Sequence, residues 1–413
     1  MTVTPPAKVP SASTTGAASA SGAGAGAGSG SGSGAKSFTR PRLFTPGPVE
    51  IPVRILRALS QVPPHHRTDG FREVYKRVTE DLRWLHQTQG EVLMLAASGS
   101  GAMEAAVVNL MPPGRTALCL VGGKFGERWA NICKAYGIPY EAIEVPWGHA
   151  VPVAEVEKRL DADAGIAAVF GTHSETSTAT LHDAQGLARA TRPRKRLLVL
   201  DAITSLGVHP LPQDEWGVDV VVTGSQKGLM SPPGIATVSL APWALDAIEG
   251  ERSPRFYWDL RKARKSLPLG ESAFTPAVSL VFAVGEALAM MKEEGLANVH
   301  ARHRRLGAAV RAGAQAIGWT LFSRSPADSV TALEPPAGVD ASAVVKRLRD
   351  THGITVAGGQ DHMKGKMLRI GHMGAYDLAD VYVVLGALEE CTLALGRAGT
   401  GSIEAARRAW ESA

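Results

Sequence analysis

Two side chains define the chemistry open to this chain. Lys227 is an amine that follows a Ser225-Gln226 pair, and Asp201 is a carboxylate that ends the apolar run Leu197–Leu200. An amine can condense with a carbonyl and then carry a proton, while a carboxylate can pair with a protonated ring nitrogen. Three further groups stand at comparable points. Ser98-Gly99-Ser100-Gly101 opens a helical stretch, and a glycine-rich helix start offers N–H groups to an anion. Phe125, after Gly122-Gly123-Lys124, can present a ring face, and His173 to Thr178 supplies hydroxyls around Glu175.

Each of these groups follows a short apolar run that reads as a strand. Glu91–Ala97, Ala117–Val121, Ile166–Phe170, Leu197–Leu200, Asp219–Thr223 and Ile235–Leu240 alternate with helical stretches such as Ala102–Leu110, which stops at Pro112-Pro113-Gly114. Near-continuous apolar strands alternating with helices imply an α/β fold, a mostly parallel sheet covered on both faces. Ligands of such sheets bind beyond the carboxyl ends of the strands. Five strand ends therefore converge on one cleft with an anion cup, an aromatic face, hydroxyls, a carboxylate and an amine. Those are the parts that pyridoxal 5′-phosphate needs.

Helices are expected upstream at Pro52 to Ser60 and at Phe71 to Gln87, where Phe71, Val74, Val78, Leu82 and Leu85 keep helical spacing. After Ser279 the texture changes. Two long helices, to about Glu294 and from Leu296 to about Ile317, precede strand-like pieces at Trp319–Ser323, Ser329–Leu333, Ile354–Ala357 and Met367–Ile370. Helices at Ala341–Asp350 and Leu378–Leu395 complete a smaller α+β domain.

Composition narrows the alternatives. The chain has 413 residues, 45% of them hydrophobic, and a net charge of +5. No apolar run approaches the roughly 18 residues of a membrane span. Cys119, Cys133 and Cys391 form no CxxC and no even framework, which suits a reducing cytoplasm. The basic run Arg192, Arg194, Lys195, Arg196 has no interleaved aromatics and reads as a solvated loop rather than a nucleic-acid patch. Residues 11 to 35 are only Ala, Gly, Ser and Thr; they cannot bury enough apolar area to order themselves and carry no secretory signal pattern.

Taken together, the motifs resemble a class V, fold-type I pyridoxal-phosphate aminotransferase of the alanine/serine–glyoxylate group. The resemblance runs from about residue 41 to 396. It includes Thr45-Pro46-Gly47-Pro48, His65-His66-Arg67, Ser98 to Gly101 with Met103-Glu104, Phe125-Gly126-Glu127-Arg128 and Glu175-Thr176-Ser177-Thr178. It continues through Asp201 to Gly207, Thr223 to Gly228 with Pro232-Pro233-Gly234, Thr275-Pro276, and Leu368-Arg369-Ile370-Gly371. It implies a seven-stranded, mostly parallel sheet in a large domain over 61–290 and a small C-terminal domain over 291–396. Residues 41–60 would pack with the small domain, and 1–40 and 397–413 would be tails.

The resemblance also implies roles. Lys227 would be the Schiff-base lysine. Asp201 would bind the pyridine nitrogen, Phe125 would stack on the ring, and Thr176 would contact the ring hydroxyl. Ser98, Gly99, Ser100 and Gln226 would bind the phosphate, with Ile203 beside the ring. Thr275 would reach the phosphate of a second subunit, which implies a homodimer. Arg369 would hold the substrate carboxylate by a bidentate pair. Ser100 and Ser272 depart from relatives that carry a larger residue and a tyrosine at those places.

The expected reaction moves an amino group from a small amino acid, alanine or serine, to glyoxylate or pyruvate, with aspartate as another donor. Three other readings stay open: a cysteine desulfurase, although no cysteine falls on an active-site loop; a lyase acting on a β-hydroxy amino acid; and an idle accessory subunit, against which Lys227, Asp201 and Arg369 speak. His65 and His66 find no third metal ligand at sensible spacing and read as cleft-mouth or packing histidines. His362 and His372 flank Arg369 without a catalytic assignment.

Overall fold

Strands β1 (Glu91–Ala97), β2 (Thr116–Val121), β3 (Tyr140–Glu144), β4 (Ile166–Thr172), β5 (Leu197–Asp201), β6 (Val220–Gly224) and β7 (Gly234–Leu240) form one seven-stranded sheet. The coordinates are a computed structural model that describes residues 40–250, 253–396 and 399–413. The Gly/Ala/Ser-rich tail expected over 1–40 thus lies, apart from Arg40, outside the described residues. The strand order is β1-β7-β6-β5-β4-β2-β3. Neighbours from β6 to β3 are parallel, and only β7 runs against its partners β1 and β6. Every residue of β6 is buried, as a strand covered on both faces requires.

Helix α1 (Val53–Leu59) and helix α2 (Asp69–His86) precede the sheet, α3 (Gly99–Leu110) follows β1, and α4 (Lys124–Ala135) follows β2. Helix α3 lies over β6 and β7, so its first turn reaches the carboxyl end of β6. That helix starts three residues earlier than the apolar pattern indicates, which makes the Ser-Gly loop its first turn. Strand β3 was not expected. It is an edge strand with only Ile143 buried, so it shows no apolar run.

Beyond β7, α5 (Val278–Glu294) and α6 (Leu296–Ala316) lead into a second sheet. Its strands are β8 (Thr320–Leu321), β9 (Val330–Glu334), β10 (Ala357–Gly358) and β11 (Leu368–Gly371), in the antiparallel order β8-β9-β11-β10. The run expected as one strand over 354–357 divides. Ile354–Thr355 pairs with Arg42–Leu43, while β10 pairs with β11. Helices α7 (Ala341–His352) and α8 (Leu378–Leu393) pack on one another. The local core gathers Trp319, Leu333, Leu368, Ile370 and Leu388, with Phe44 inserted from the start of the chain.

The tail expected over 397–413 is corrected by the structure. Ser402–Ser412 forms helix α9, which packs on α6 and α8 and buries Ser402 and Ala406. Ser402 N–H and Oγ donate to Glu389 at 3.0 and 2.5 Å. A helix this short is marginal alone and depends on docking, which explains why local pattern did not reveal it.

Trp319 is buried and its indole N–H donates to Thr392 Oγ1 at 3.1 Å. Trp319→Ala should lower stability by about 3–5 kcal/mol, read as a drop in the urea unfolding midpoint.

Candidate active site

The cleft opens where the carboxyl ends of β1, β5 and β6 meet the first turns of α3 and α4. Ser98 precedes α3 in an extended conformation, and its side chain makes no capping hydrogen bond. The N–H groups of the first turn, at Gly99 and Ser100, have no intrahelical acceptor and sit at the positive end of the helix dipole. A Cβ on Gly99 would come within 2.3 Å of Ile203 Cδ1, so a larger residue here would have to displace the Ile203 side chain. One amide atom of Gln226, Oε1, is buried without a partner, 3.0 Å from where a Cβ on Gly224 would lie. An uncapped helix start offers N–H donors to a phosphate, and the Gln226 amide beside it would join that donor set with its NH2 end turned to the anion.

Asp201 ends β5 and is 3% exposed. Its Oδ1 accepts the Ile203 N–H at 2.8 Å. Burial raises its pKa from 3.8 to about 7, and the charge of Glu175 adds to the rise; the Ile203 N–H, Arg128 and Lys227 oppose it. Lys227 is 8% exposed. Burial lowers its pKa from 10.5 to about 8, with Arg369 and Arg128 adding and Asp201 opposing. The Lys227 Nζ donates to the Pro46 carbonyl. The turn that brings this carbonyl in requires Gly47, whose φ is +105° and whose Cβ would meet the Lys227 side chain at 2.4 Å.

Phe125 lies in the first turn of α4. The carboxylate of Glu175, fully buried, holds that turn. Oε2 accepts the N–H groups of Phe125 and Gly126, both at 3.0 Å, and Oε1 accepts Ser177 N–H at 3.0 Å and Oγ at 2.5 Å. Burial raises the Glu175 pKa, and these hydrogen bonds pull against the rise. Next to it, Thr176 Oγ1 lies 2.5 Å from Thr204 Oγ1, and the Thr176 carbonyl accepts Arg369 Nη1 at 3.0 Å. Arg369, 6% exposed, also donates Nη2 and Nε to the Gly358 carbonyl at 2.9 and 3.2 Å. These three bonds use three of its five N–H donors. Burial lowers its pKa to about 10 against the pull of Glu175.

Ser98, Gly99, Ser100, Phe125, Thr176, Asp201, Ile203, Gln226 and Lys227 all line one cleft. Arg369 stands behind Thr176 rather than in this wall. Thr275 lines a different, apolar cavity with Tyr75, Tyr257 and Phe274. The Ser272 Oγ is turned to the Phe274 carbonyl. His362 packs at a tilt against Trp147 with ring centroids 4.6 Å apart, and His372 Nε2 lies 2.9 Å from Thr331 Oγ1. Among the described residues no group of three or more His, Cys, Asp or Glu could hold a metal ion. The three cysteines are buried and unpaired, and none lines the cleft.

Five lining residues stand within the quoted motifs but receive no role from the sequence reading: Gly47, Pro48, Arg128, Thr204 and Pro233. Arg128 was within reach of it, because it stands three positions after Phe125 and so shares its helix face. The other four reach the wall through turns whose path local pattern does not reveal.

Comparison with known proteins gives a consistent result. Residues 57–378 match the model of the family described as aminotransferase class-V. The chain is 42% identical over 359 residues to a protein of a Synechococcus species named soluble hydrogenase, small subunit, covering 86% of this chain and 93% of the relative. It is 36% identical to L-aspartate–glyoxylate aminotransferase of Paracoccus denitrificans, covering 83% and 88%. It is 34% identical to serine–glyoxylate aminotransferase of Methylorubrum extorquens, covering 86% of this chain and 91% of the relative. A solved structure of a subgroup IV aspartate aminotransferase from Thermus thermophilus superposes with a TM-score of 0.79 at 37% identity, covering 85% of this chain and 98% of that one.

The raised pKa of Asp201 carries a sign that can be measured in the cofactor-free protein. A carboxyl whose folded pKa, about 7, exceeds its unfolded value of 3.8 stabilises the fold fully below pH 4 and loses that contribution as pH rises through 7. Asp201→Asn should therefore leave the cofactor-free protein more stable than the parent at pH 8, by up to about 4 kcal/mol. The gap should close toward pH 4 in paired urea titrations.

Proposed function

Since the chain belongs to the class-V aminotransferase family, whose members use pyridoxal phosphate, we propose that it moves an amino group from a small amino acid, alanine or serine, to glyoxylate or pyruvate. The observation that carries this reading is the placement of Lys227 and Asp201, both buried, in the wall of one cleft that also holds an open helix start. When bound, pyridoxal phosphate supplies an aldehyde that condenses with amines and a ring that accepts electrons.

The chain's own groups would then act as follows. Lys227 Nζ, with its pKa lowered to about 8, is in part neutral near pH 7 to 8. It can take the proton from the substrate α-carbon and return it to the carbon on the far side of the amino nitrogen. Asp201 is only conditionally ionised in the empty cleft, and a cationic ring nitrogen beside it would hold its charge. Phe125, fixed by Glu175, gives the ring a plate to rest on. Gly99, Ser100 and Gln226 receive the phosphate. Arg369 keeps two unused donors for the substrate carboxylate, and its buried setting strengthens that pairing. We also place Thr275 at the neighbouring cleft of a homodimer, since in its own chain it lies in another cavity. The three unpaired cysteines support a cytoplasmic setting.

Aspartate as donor is a second reading, supported by the names of the Paracoccus relative and the Thermus structure. A panel of amino donors against glyoxylate, pyruvate and 2-oxoglutarate separates the two. Alanine or serine should give the highest kcat/KM, and a dominant aspartate activity would reverse the order. Lys227→Ala should remove the yellow colour of the purified protein and lower the rate by about 10²–10⁴-fold or more. A parent that stays colourless and inactive with added cofactor would overturn the assignment.

A further inference from the structure

The phosphate of the cofactor is dianionic, yet the groups so far placed around it are neutral donors: two helix N–H groups and the Gln226 amide. Lys227 is committed to the aldehyde, and Arg369 is turned to the carbonyls of Thr176 and Gly358. One further cation stands in the cleft wall. Arg128 Nη1 donates to Ser100 Oγ at 2.8 Å, within the first turn of α3, and its Cζ lies 4.7 Å from the centroid of the Phe125 ring.

The acidic groups nearest in the chain and in the site are otherwise engaged. Glu127 pairs with Lys124 at 2.6 Å. Glu175 is filled by four N–H and O–H donors, and Asp201 accepts from Ile203. Among the described residues Arg128 forms no ion pair with a carboxylate. A guanidinium beside the positive end of a helix dipole is unfavourable unless an anion joins them. Its planar fork also suits phosphate oxygens better than a point charge does.

We propose that Arg128 is the cationic phosphate-binding residue of this site, aimed by Ser100 and braced by Phe125. The proposal rests on the reading of the cleft as a pyridoxal-phosphate site, and it adds the side chain that balances the phosphate charge. Because Arg128 contacts both the phosphate turn and the ring plate, it would also tie the two together. Small residues at position 100 leave that turn dependent on a partner from α4.

The test compares three probes on cofactor-free protein: pyridoxal 5′-phosphate, pyridoxal, and inorganic phosphate. Binding of the first two is read by visible absorbance, and that of phosphate by the shift in unfolding temperature. Arg128→Gln should weaken pyridoxal phosphate by about 10–100-fold and change pyridoxal by less than about twofold. Inorganic phosphate should raise the unfolding temperature of the parent but not of Arg128→Gln. Arg128→Lys should recover part of the lost affinity. Should Arg128→Gln not fold, Arg128→Lys, which keeps the charge but loses the fork, should still bind pyridoxal phosphate more weakly than the parent and spare pyridoxal. Equal weakening of pyridoxal and its phosphate, or unchanged affinity for both, would overturn the proposal. Failure of the parent to bind either aldehyde would instead overturn the cofactor reading itself.

Discussion

Burial of an acid and an amine in one cleft is the constraint on which the site depends. Asp201 and Lys227 are placed at strand ends by β5 and by the turn after β6, and each is pushed toward neutrality by the loss of solvent. In an empty cleft this is a destabilising arrangement for Asp201 at neutral pH. A cationic partner beside Asp201 and an electrophile beside Lys227 would make it favourable. The sheet makes this possible because its parallel strands deliver polar termini to one edge while their apolar bodies stay packed between helices.

Supporting groups turn that edge into a defined surface. Glu175 is the clearest case. A fully buried carboxylate without donors would be strongly unfavourable, but here it accepts two backbone N–H groups from α4 and two donors from Ser177. The same segment presents Thr176, whose carbonyl holds Arg369. One short stretch thus sets the Phe125 turn, a threonine hydroxyl and the orientation of a guanidinium. Gly123 permits this closeness, since a Cβ there would lie 2.4 Å from Ser177 Oγ.

The relatives carry names that differ in donor and even in kind: aspartate, serine and a hydrogenase subunit. Their shared scaffold shows why fold and cofactor are easier to assign than substrate. In open α/β sheets ligands sit at strand ends and helix starts, which belong to the fold. Substrate selectivity in such folds rests on loops, which can differ without disturbing the sheet.

The chain's own pattern determined a good deal. Apolar runs bounded by glycine marked six of the seven large-sheet strands, because a strand buried on both faces must be apolar throughout. The Ser-Gly turn, Asp201 and Lys227 were legible for the same reason: polar residues that interrupt such runs stand at strand ends. The edge strand β3 was hidden, since an edge buries little. The helix α9 was hidden as well, since its stability comes from docking on α6 and α8 rather than from its own sequence. Tertiary structure alone decided that Arg128 faces Ser100, that Glu175 caps a helix fifty residues earlier in the chain, and that Pro46 reaches Lys227. These contacts join segments far apart in the chain, and no local periodicity encodes a distance across a folded sheet.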